Sequence, residues 1–459
     1  MKRNVWGMLL GVLLPGTSVL LAGGFALSGV GIRALHLGGA ARTLAGDPSA
    51  LYWNPAALAY AHHTEIQVYN STVMPDARYQ PYTGLVGYDG GYSTRLDIYA
   101  EAQTFQIPGF LMVVPGKFAN VSLGVYAPFG LGAQWDLYDY PLGWHNPEPY
   151  PEIDWSSDLQ VISTYLGIAR QINDRWAIGL AGGANFTKVN LQKVNLVPAD
   201  PTDPGSVPLP YSYIPVDVQS EMKGTGFGAN LGLFYRASDR LDVAFSARLY
   251  SPVSLSGNTD FTAYFPDTAQ THAWKLSSTA SSTTDFPLPH NFGLGFAYKT
   301  SEQLTFRFDV DYTLWSLFDV LVLKFDGMDP TGQPLDSTVL AKKWNNTVRV
   351  SGGLEYDYGN GLHLRLGAYY DQSPIPDGSI DPLIPDISEK LSFNGGVSYT
   401  YELPGNKALT LYLGGEYITF GDRVVYEFAD VNGDHEPDNM PGIYSLTIGA
   451  INGGLSFSF

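Results

Sequence analysis

Six times along this 459-residue chain, a stretch that alternates apolar and polar residues runs into a tight polar turn and then resumes its alternation. The turns are Pro115-Gly116-Lys117, Asn173-Asp174-Arg175, Ser238-Asp239-Arg240, Ser301-Glu302-Gln303, Gly359-Asn360-Gly361 and Pro404-Gly405-Asn406-Lys407. A period of two marks a strand with two unlike faces, and so short a turn makes the flanking strands antiparallel neighbours. Between the turns lie long connections rich in Pro, Asp, Ser and Tyr, such as "VPADPTDPGSVPLPYSYIPVD". Six turns account for twelve strands. "EIQVYNSTVM" before them and "YSLTIGAINGGLSFSF" after them bring the expected number to about fourteen. An even, up-and-down array with short turns at one end and long loops at the other closes into an outer-membrane type of barrel.

The faces say which side is wet. Leu304, Phe306, Phe308, Val310, Tyr312 and Leu314 share one face, and Arg307, Asp309 and Asp311 share the other. Leu241, Val243, Phe245, Ala247 and Leu249 likewise oppose Asp242, Ser246 and Arg248. Strands in a soluble sandwich stay near five or six residues. Many here run ten or longer, the length a tilted strand needs to cross lipid. The expectation is an all-β, 14-stranded antiparallel transmembrane barrel over 64–459, with an apolar belt outside and a polar lumen.

The remaining composition narrows the function. Basic Met1 to Asn4, the apolar run Val5 to Leu21 and small Ala22-Gly23-Gly24 read as a secretory signal over 1–22, with a single membrane anchor as the other reading. No later run reaches the length of a helical span. The absence of cysteine excludes a disulfide scaffold and thiol or Cys-zinc chemistry. A net charge of −18 argues against nucleic acid as a partner. The eight histidines are scattered, none spaced to pair with a serine and a carboxylate, which disfavours an outer-membrane lipase or esterase. The chain thus reads as a non-enzyme without cofactor. Terminal Phe459, with Phe457 and Leu455 on its face, suits recognition by barrel-assembly machinery.

Fourteen strands enclose a lumen that side chains alone cannot fill. Residues 23–63 are the material upstream of the wall, Gly- and Ala-rich, and are expected to form a compact helical plug. Asp47-Pro48 and Asn54-Pro55 each look like an N-cap followed by proline at the first helical position, so two short helices are expected. Asn54, Pro55 and Ala56 are equally accounted for as a plain helix start. A porin for polar solutes would need an open lumen, against which the plug speaks.

The stretches "GDPSALYWNPAAL", "YAPFGLG", "PLPHNFGLGFAYKTSEQLTFRFDVDYTLWSLFDVLVLKF" and "LRLGAYYDQSPIPDGSIDPLIPD" make the chain resemble the outer-membrane long-chain fatty-acid and hydrocarbon transport proteins (FadL type). That resemblance implies a 14-stranded barrel with an N-terminal hatch and transport of hydrophobic small molecules, fatty acids first and aromatic hydrocarbons as the alternative. It implies that Asn54, Pro55 and Ala56 belong to the gating motif. A kinked third strand then releases the cargo sideways into outer-membrane lipid, and the barrel works as a monomer.

Physical chemistry supports several of these parts. Pro128, followed by Gly130 and Gly132, interrupts the third strand, and in a closed wall no free edge exists to tolerate a proline. An ordinary bulge at the rim is the other explanation. Loop aromatics Trp135, Trp144, Phe265 and Trp274 form a candidate capture surface or an interfacial girdle. Lys342 and Lys343, which precede Trp344 where the resemblance implies a pocket lysine, and less strongly Lys188 and Lys193, are candidate cations for a carboxylate. Asp430, Asn432, Asp434 and Asp438 space oxygens like a calcium loop but lack its glycine at position six and glutamate at twelve; a solvated acidic loop is the simpler reading.

Overall fold

The computed structural model describes residues 24–82, 97–138, 150–199, 213–265, 274–383, 387–433 and 437–459. Fourteen antiparallel strands make a closed wall. They are β1 (Glu65–Pro81), β2 (Phe105–Val114), β3 (Asn120–Trp135), β4 (Trp155–Gln171), β5 (Trp176–Pro198) and β6 (Tyr213–Arg236). β7 is Leu241–Tyr250 and Val253–Phe265, and β8 is Trp274–Phe286 and Asn291–Lys299. β9 is Leu304–Thr313 and Val320–Asp326, and β10 is Thr338–Ala341 and Thr347–Asp357. β11 (Leu362–Asp371), β12 (Lys390–Leu403), β13 (Lys407–Phe420) and β14 (Gly442–Ser458) complete it. β14 pairs back onto β1 from Glu65↔Ser458 to Pro81↔Gly442, which leaves the wall no outer edge. All six short turns join consecutive strands, as their spacing implied.

The faces fall where alternation put them. Asp309, Asp311, Ser246 and Arg248 are buried in the lumen, while Phe245, Phe306, Phe308 and Tyr312 point outward. Leu166, Phe227, Leu366 and Leu413 are among the most exposed belt residues, at 60–67% of their surface, an anomaly in water and the expected state in lipid. Next to the short turns the outward residues become aromatic: Phe118, Trp176, Tyr298, Tyr358 and Tyr401 are exposed, and Trp176 stacks on Tyr235 at 4.4 Å. β5 and β6, with 23 and 24 residues, rise well beyond the 9–11 that cross a membrane. β7 to β10 instead break at one height, and their lower halves have 10, 9, 10 and 11 residues, each a single crossing.

Residues 24–63 lie inside this wall as a hatch. Its elements are α1 (Ile32–His36), α2 (Ala50–Trp53) and a 3-10 turn (Pro55–Tyr60). Sequence expected two helices, and the proline starts did foretell α2 and the 3-10 turn. α1 is additional: it follows Gly31, whose φ of 89° no capping side chain would take easily. α2 opens at Ala50, three residues after Asp47, whose carboxylate accepts the Ser49 N–H at 2.9 Å as a cap does.

Candidate functional site: a seated hatch beside a window in the wall

Asn54 ties three parts of the molecule together. Its Oδ1 accepts the Ala56 N–H at 3.1 Å, which caps the 3-10 turn. Its Nδ2 donates to the Arg42 carbonyl at 3.2 Å within the hatch and to the Leu233 carbonyl of β6 at 3.1 Å. This contact requires the wall to lack side chains. Gly179 and Gly232 face each other across β5 and β6, and a Cβ on either would stand 2.1–2.2 Å from Asn54 or Pro55. Wall asparagines finish the other helix ends: Asn230 donates to the Leu51 and Tyr52 carbonyls, and Asn120 to those of Leu58 and Ala61, all at 2.8–3.1 Å.

The strongest attachment is ionic. Arg42, fully buried, reaches Asp309 at 3.2 Å and Asp311 at 2.5 Å, and its Nε donates to Ser246 at 3.0 Å. Asp309 also accepts the backbone N–H groups of Ala41 and Arg42. Arg33 forks onto Glu355 at 2.9 and 2.6 Å, a carboxylate that Arg365 shares. Both hatch arginines thus meet wall carboxylates, and buried Asp47 is answered within the hatch by Ser49 and by Arg33 at 3.7 Å, as burial demands.

His36 is the exception. Its ring sits on Gly396 and Gly414, paired across β12 and β13, and neither ring nitrogen has a hydrogen-bond partner. Burial, and then the Arg365 charge, push its pKa down to about 3. Arg365 in turn pairs with Glu355, the carboxylate that Arg33 also holds. A displaced hatch would let the imidazole take a proton near its ordinary 6.5. The seated state therefore loses stability as pH falls from about 6.5 towards 3, by about 1.4 kcal/mol per pH unit, and is insensitive above 6.5. In planar bilayers, transient openings are expected to become about tenfold more frequent for each unit of acidification below 6. His36→Phe should flatten this response, and an unchanged pH profile in that variant would refute it.

The wall itself is open at one place. β2 and β3 pair only from Val114↔Val121 to Phe110↔Val125. Beyond Tyr126 the register of β3 on β4 slips by one residue, the extra residue falling at Ala127-Pro128. The two strands meet again through the linking segment, where the Glu101 N–H donates to the Gln134 carbonyl at 2.8 Å. Residues 105–109 and 126–133 are thus the two sides of a window. From within, the hatch's first described residues take up the β3 edge: Leu27 N–H donates to the Pro128 carbonyl at 3.1 Å, and Gly130 N–H to the Phe25 carbonyl at 2.9 Å. The Phe105 ring lies against bare Gly132, where a Cβ would come within 2.4 Å of it. Gly130 has no such constraint.

Behind the window is a cavity of about 490 Å³, lined by β1 to β4, by β10 to β14 and by hatch residues 24–29. Above it the Phe25 ring is caged by Phe129, Phe286, Trp315, Phe318 and Trp344 at centroid distances of 4.9–6.2 Å. Burial holds the nearby Lys342 ammonium below the usual lysine range, against the pull of Asp381 and Asp438.

The other sequence candidates separate. Lys342 is buried, but Lys343 turns outward onto Asp319 at 2.9 Å. Lys188 faces away from the lumen beside Glu221 and Lys223, because β5 puts its even-numbered residues outside, so it cannot serve an inner pocket. Lys193 does point inward, over Trp155 at 4.5 Å. Trp135 is buried, whereas Phe265 and Trp274 stack on each other at 3.9 Å near the loop tip. Trp144 and Asp434 lie outside the described residues. Asp430 accepts the Gly433 N–H, and Asp438 those of Val431 and Asn432, so their oxygens brace the loop. No metal-binding cluster occurs among the described residues. Sequence reasoning missed Arg42, Asn120 and Asn230; for the two asparagines the one available signal was a lone polar residue on the inward face of a strand, and Arg42, in the hatch, had none.

A hydrophobic-belted barrel with an ion-paired plug and a side window defines a class: bacterial outer-membrane transport barrels. The family model for "Outer membrane protein transport protein (OMPP1/FadL/TodX)" matches residues 13–436, and the chain belongs to that family. It is 26% identical over 432 residues to an outer membrane protein of Neisseria meningitidis serogroup B, covering 87% of this chain and 86% of that one. It is 22% identical to the long-chain fatty acid transport protein of Salmonella typhi, covering 70% and 72%. The crystal structure of the Pseudomonas putida toluene transporter TodX superposes with a TM-score of 0.67 at 18% identity, covering 94% and 98%. The protein resides in the outer membrane, and its family is one of hydrophobic-compound transporters rather than enzymes.

Proposed function

We propose that this barrel carries hydrophobic compounds, long-chain fatty acids above all, passively from the cell surface into the outer membrane by a lateral route. The observation that carries the reading is the window between β2 and β3, backed by a cavity of about 490 Å³ and clamped by hatch residues 25–27. Cargo caught by the outer loops replaces Phe25 in its aromatic cage. That withdraws the backbone clamp on Pro128 and Gly130 and frees the route from cavity to lipid. Asn54, Pro55 and Ala56 hold the rest of the hatch in place meanwhile. An acyl chain gains about 0.8 kcal/mol per methylene kept from water, so moving from apolar pocket to lipid is favoured over a wet lumen. The barrel acts as a monomer, with exposed Phe459 at the β14–β1 closure presented to the assembly machinery.

Relatives offer both substrate classes, and the polar groups lining the cavity, Arg349, Asp371, Lys390 and Glu416, favour an acid head over a bare hydrocarbon. Uptake of labelled oleate and of toluene is to be compared in cells with and without the gene. Faster oleate uptake with the gene supports the reading; faster toluene uptake alone supports the hydrocarbon alternative; no difference for either overturns transport.

A further inference from the structure

The cavity behind the window is not uniformly apolar, and its polarity changes along the curve of the wall. Arg349, Asp371 and Lys390 stand in one ladder row on adjacent strands β10, β11 and β12, positive, negative, positive. Lys390 is 3.6 Å from Asp371. Glu416 on β13 completes a quartet and accepts the Ser392 hydroxyl at 2.9 Å. The same row continues from Lys390 to Phe420, and from there the lining is Ile418, Ile448, Val73 and Phe105, up to the window. Four strand spacings of about 4.8 Å separate β12 from β2, about 19 Å, comparable with the ~15 Å that one leaflet's acyl chains fill. The polar end takes a head, and the rest fits a tail pointing at the exit.

Charge then decides what the head can be. Two cations and two carboxylates sum to zero before any ligand enters. The other titratable groups lining the cavity are Tyr69, Tyr126 and Tyr369, and Asp158 near the window. Arg248 and Asp311, which share a smaller pocket with Arg349, Asp371 and Lys390, pair with each other at 3.4 Å. None of these supplies a spare positive charge. A bound carboxylate would leave the buried site with a net negative charge, which burial strongly disfavours. A protonated acid adds none: its carbonyl accepts from Arg349 or Lys390, and its hydroxyl donates to Asp371 or Glu416. Its next environment is hydrocarbon, where an ionised carboxylate is strongly disfavoured and a neutral acid escapes that charge penalty.

We propose that Arg349, Asp371, Lys390 and Glu416 form a head-group site that selects long-chain acids in their protonated form and presents them tail-first to the window. This rests on the lateral-transport reading above. The acid keeps its own proton from entry to exit, so the protein neither gains nor loses one.

The test measures binding of oleic acid and of oleyl alcohol to the full-length protein in phosphatidylcholine nanodiscs from pH 5.5 to 8.5, with empty nanodiscs as reference. Affinity for the acid is expected to fall about tenfold per pH unit once the acid itself ionises, while that for the alcohol stays flat. In Asp371→Asn/Glu416→Gln, affinity for the acid at pH 8.5 should rise at least tenfold, with the alcohol as a check that the site persists. Acid affinity that is flat or rising with pH in the unmodified protein overturns the proposal, whatever the variant does. So does a folded variant with unchanged acid binding. Either result leaves the lateral route standing if oleyl alcohol still binds; binding of neither ligand overturns both readings together.

Discussion

Arg42→Met is expected to turn a closed barrel into a leaking one. The substitution keeps the aliphatic bulk in the seat at Gly293 and Gly295, where added Cβ atoms would lie 1.9 and 2.7 Å from the Arg42 side chain. It leaves buried Asp309 with no ion-pair partner and buried Asp311 with Arg248 alone, at 3.4 Å. Removing one partner of a buried ion pair costs about 3–5 kcal/mol, because the remaining charge is uncompensated. The wall has an easy remedy: moving the hatch lets water reach both carboxylates. A shift of that size changes the ratio of seated to unseated hatch by about a hundredfold or more. Ion conductance in planar bilayers reads this directly, with frequent large openings where the unmodified protein is quiet. Asp309→Asn, added to Arg42→Met, removes the orphaned charge, keeps the Arg248–Asp311 pair and should restore quiet. Openings that persist in the double variant would mean that Arg42 acts by bulk and not by charge.

Deleting Pro128 should close the window. One residue of β3 is unmatched on β4 between Tyr126↔Ser163 and Phe129↔Val161, and deletion restores the count. Tyr126 and Phe129 both face inward, so every later side chain keeps its face. β3 then has no proline of its own and can extend its ladder on β2 beyond Phe110↔Val125, short only of the donor that Pro108 of β2 lacks. Each added bond contributes about 0.5–1.5 kcal/mol, so a few of them favour the zipped wall. Amide exchange across residues 126–133 should slow, and oleate uptake should fall at least tenfold. Of the contacts that seat the hatch, the deletion touches only the clamp of residues 25–27 on Pro128 and Gly130; Asn54, Arg33 and Arg42 keep their wall partners, so uptake is lost at the window and not by unseating the hatch.

How much of this could be read beforehand depends on how local each cause is. The wall was legible because alternation and turn chemistry act over a few residues, and Pro128 was legible because a closed sheet has nowhere to put a missing N–H. Asn54-Pro55 announced its helix start through the same short-range chemistry. α1 was hidden, since it opens on a backbone conformation at Gly31 with no capping side chain. The partners of the hatch were hidden too. Arg42 meets Asp309 and Asp311 across 267 and 269 residues of sequence. The bare seats at Gly179, Gly232, Gly396 and Gly414 look in sequence like any strand glycine. Lys188 was a missed opportunity: Trp176, Ile178, Leu180 and Phe186 share its parity and mark its side as the lipid side. The clamp of residues 25–27 on Pro128 and Gly130 joins two segments a hundred residues apart, and no local pattern in either names the other.

The lateral route is tested most directly by measuring labelled oleate uptake and ion conductance side by side for the protein lacking Pro128, once its assembly into the outer membrane is verified. Uptake reduced to that of cells without the protein, with conductance unchanged, is the expected result. Undiminished uptake through a correctly assembled barrel would contradict it, and would send the cargo through the lumen instead.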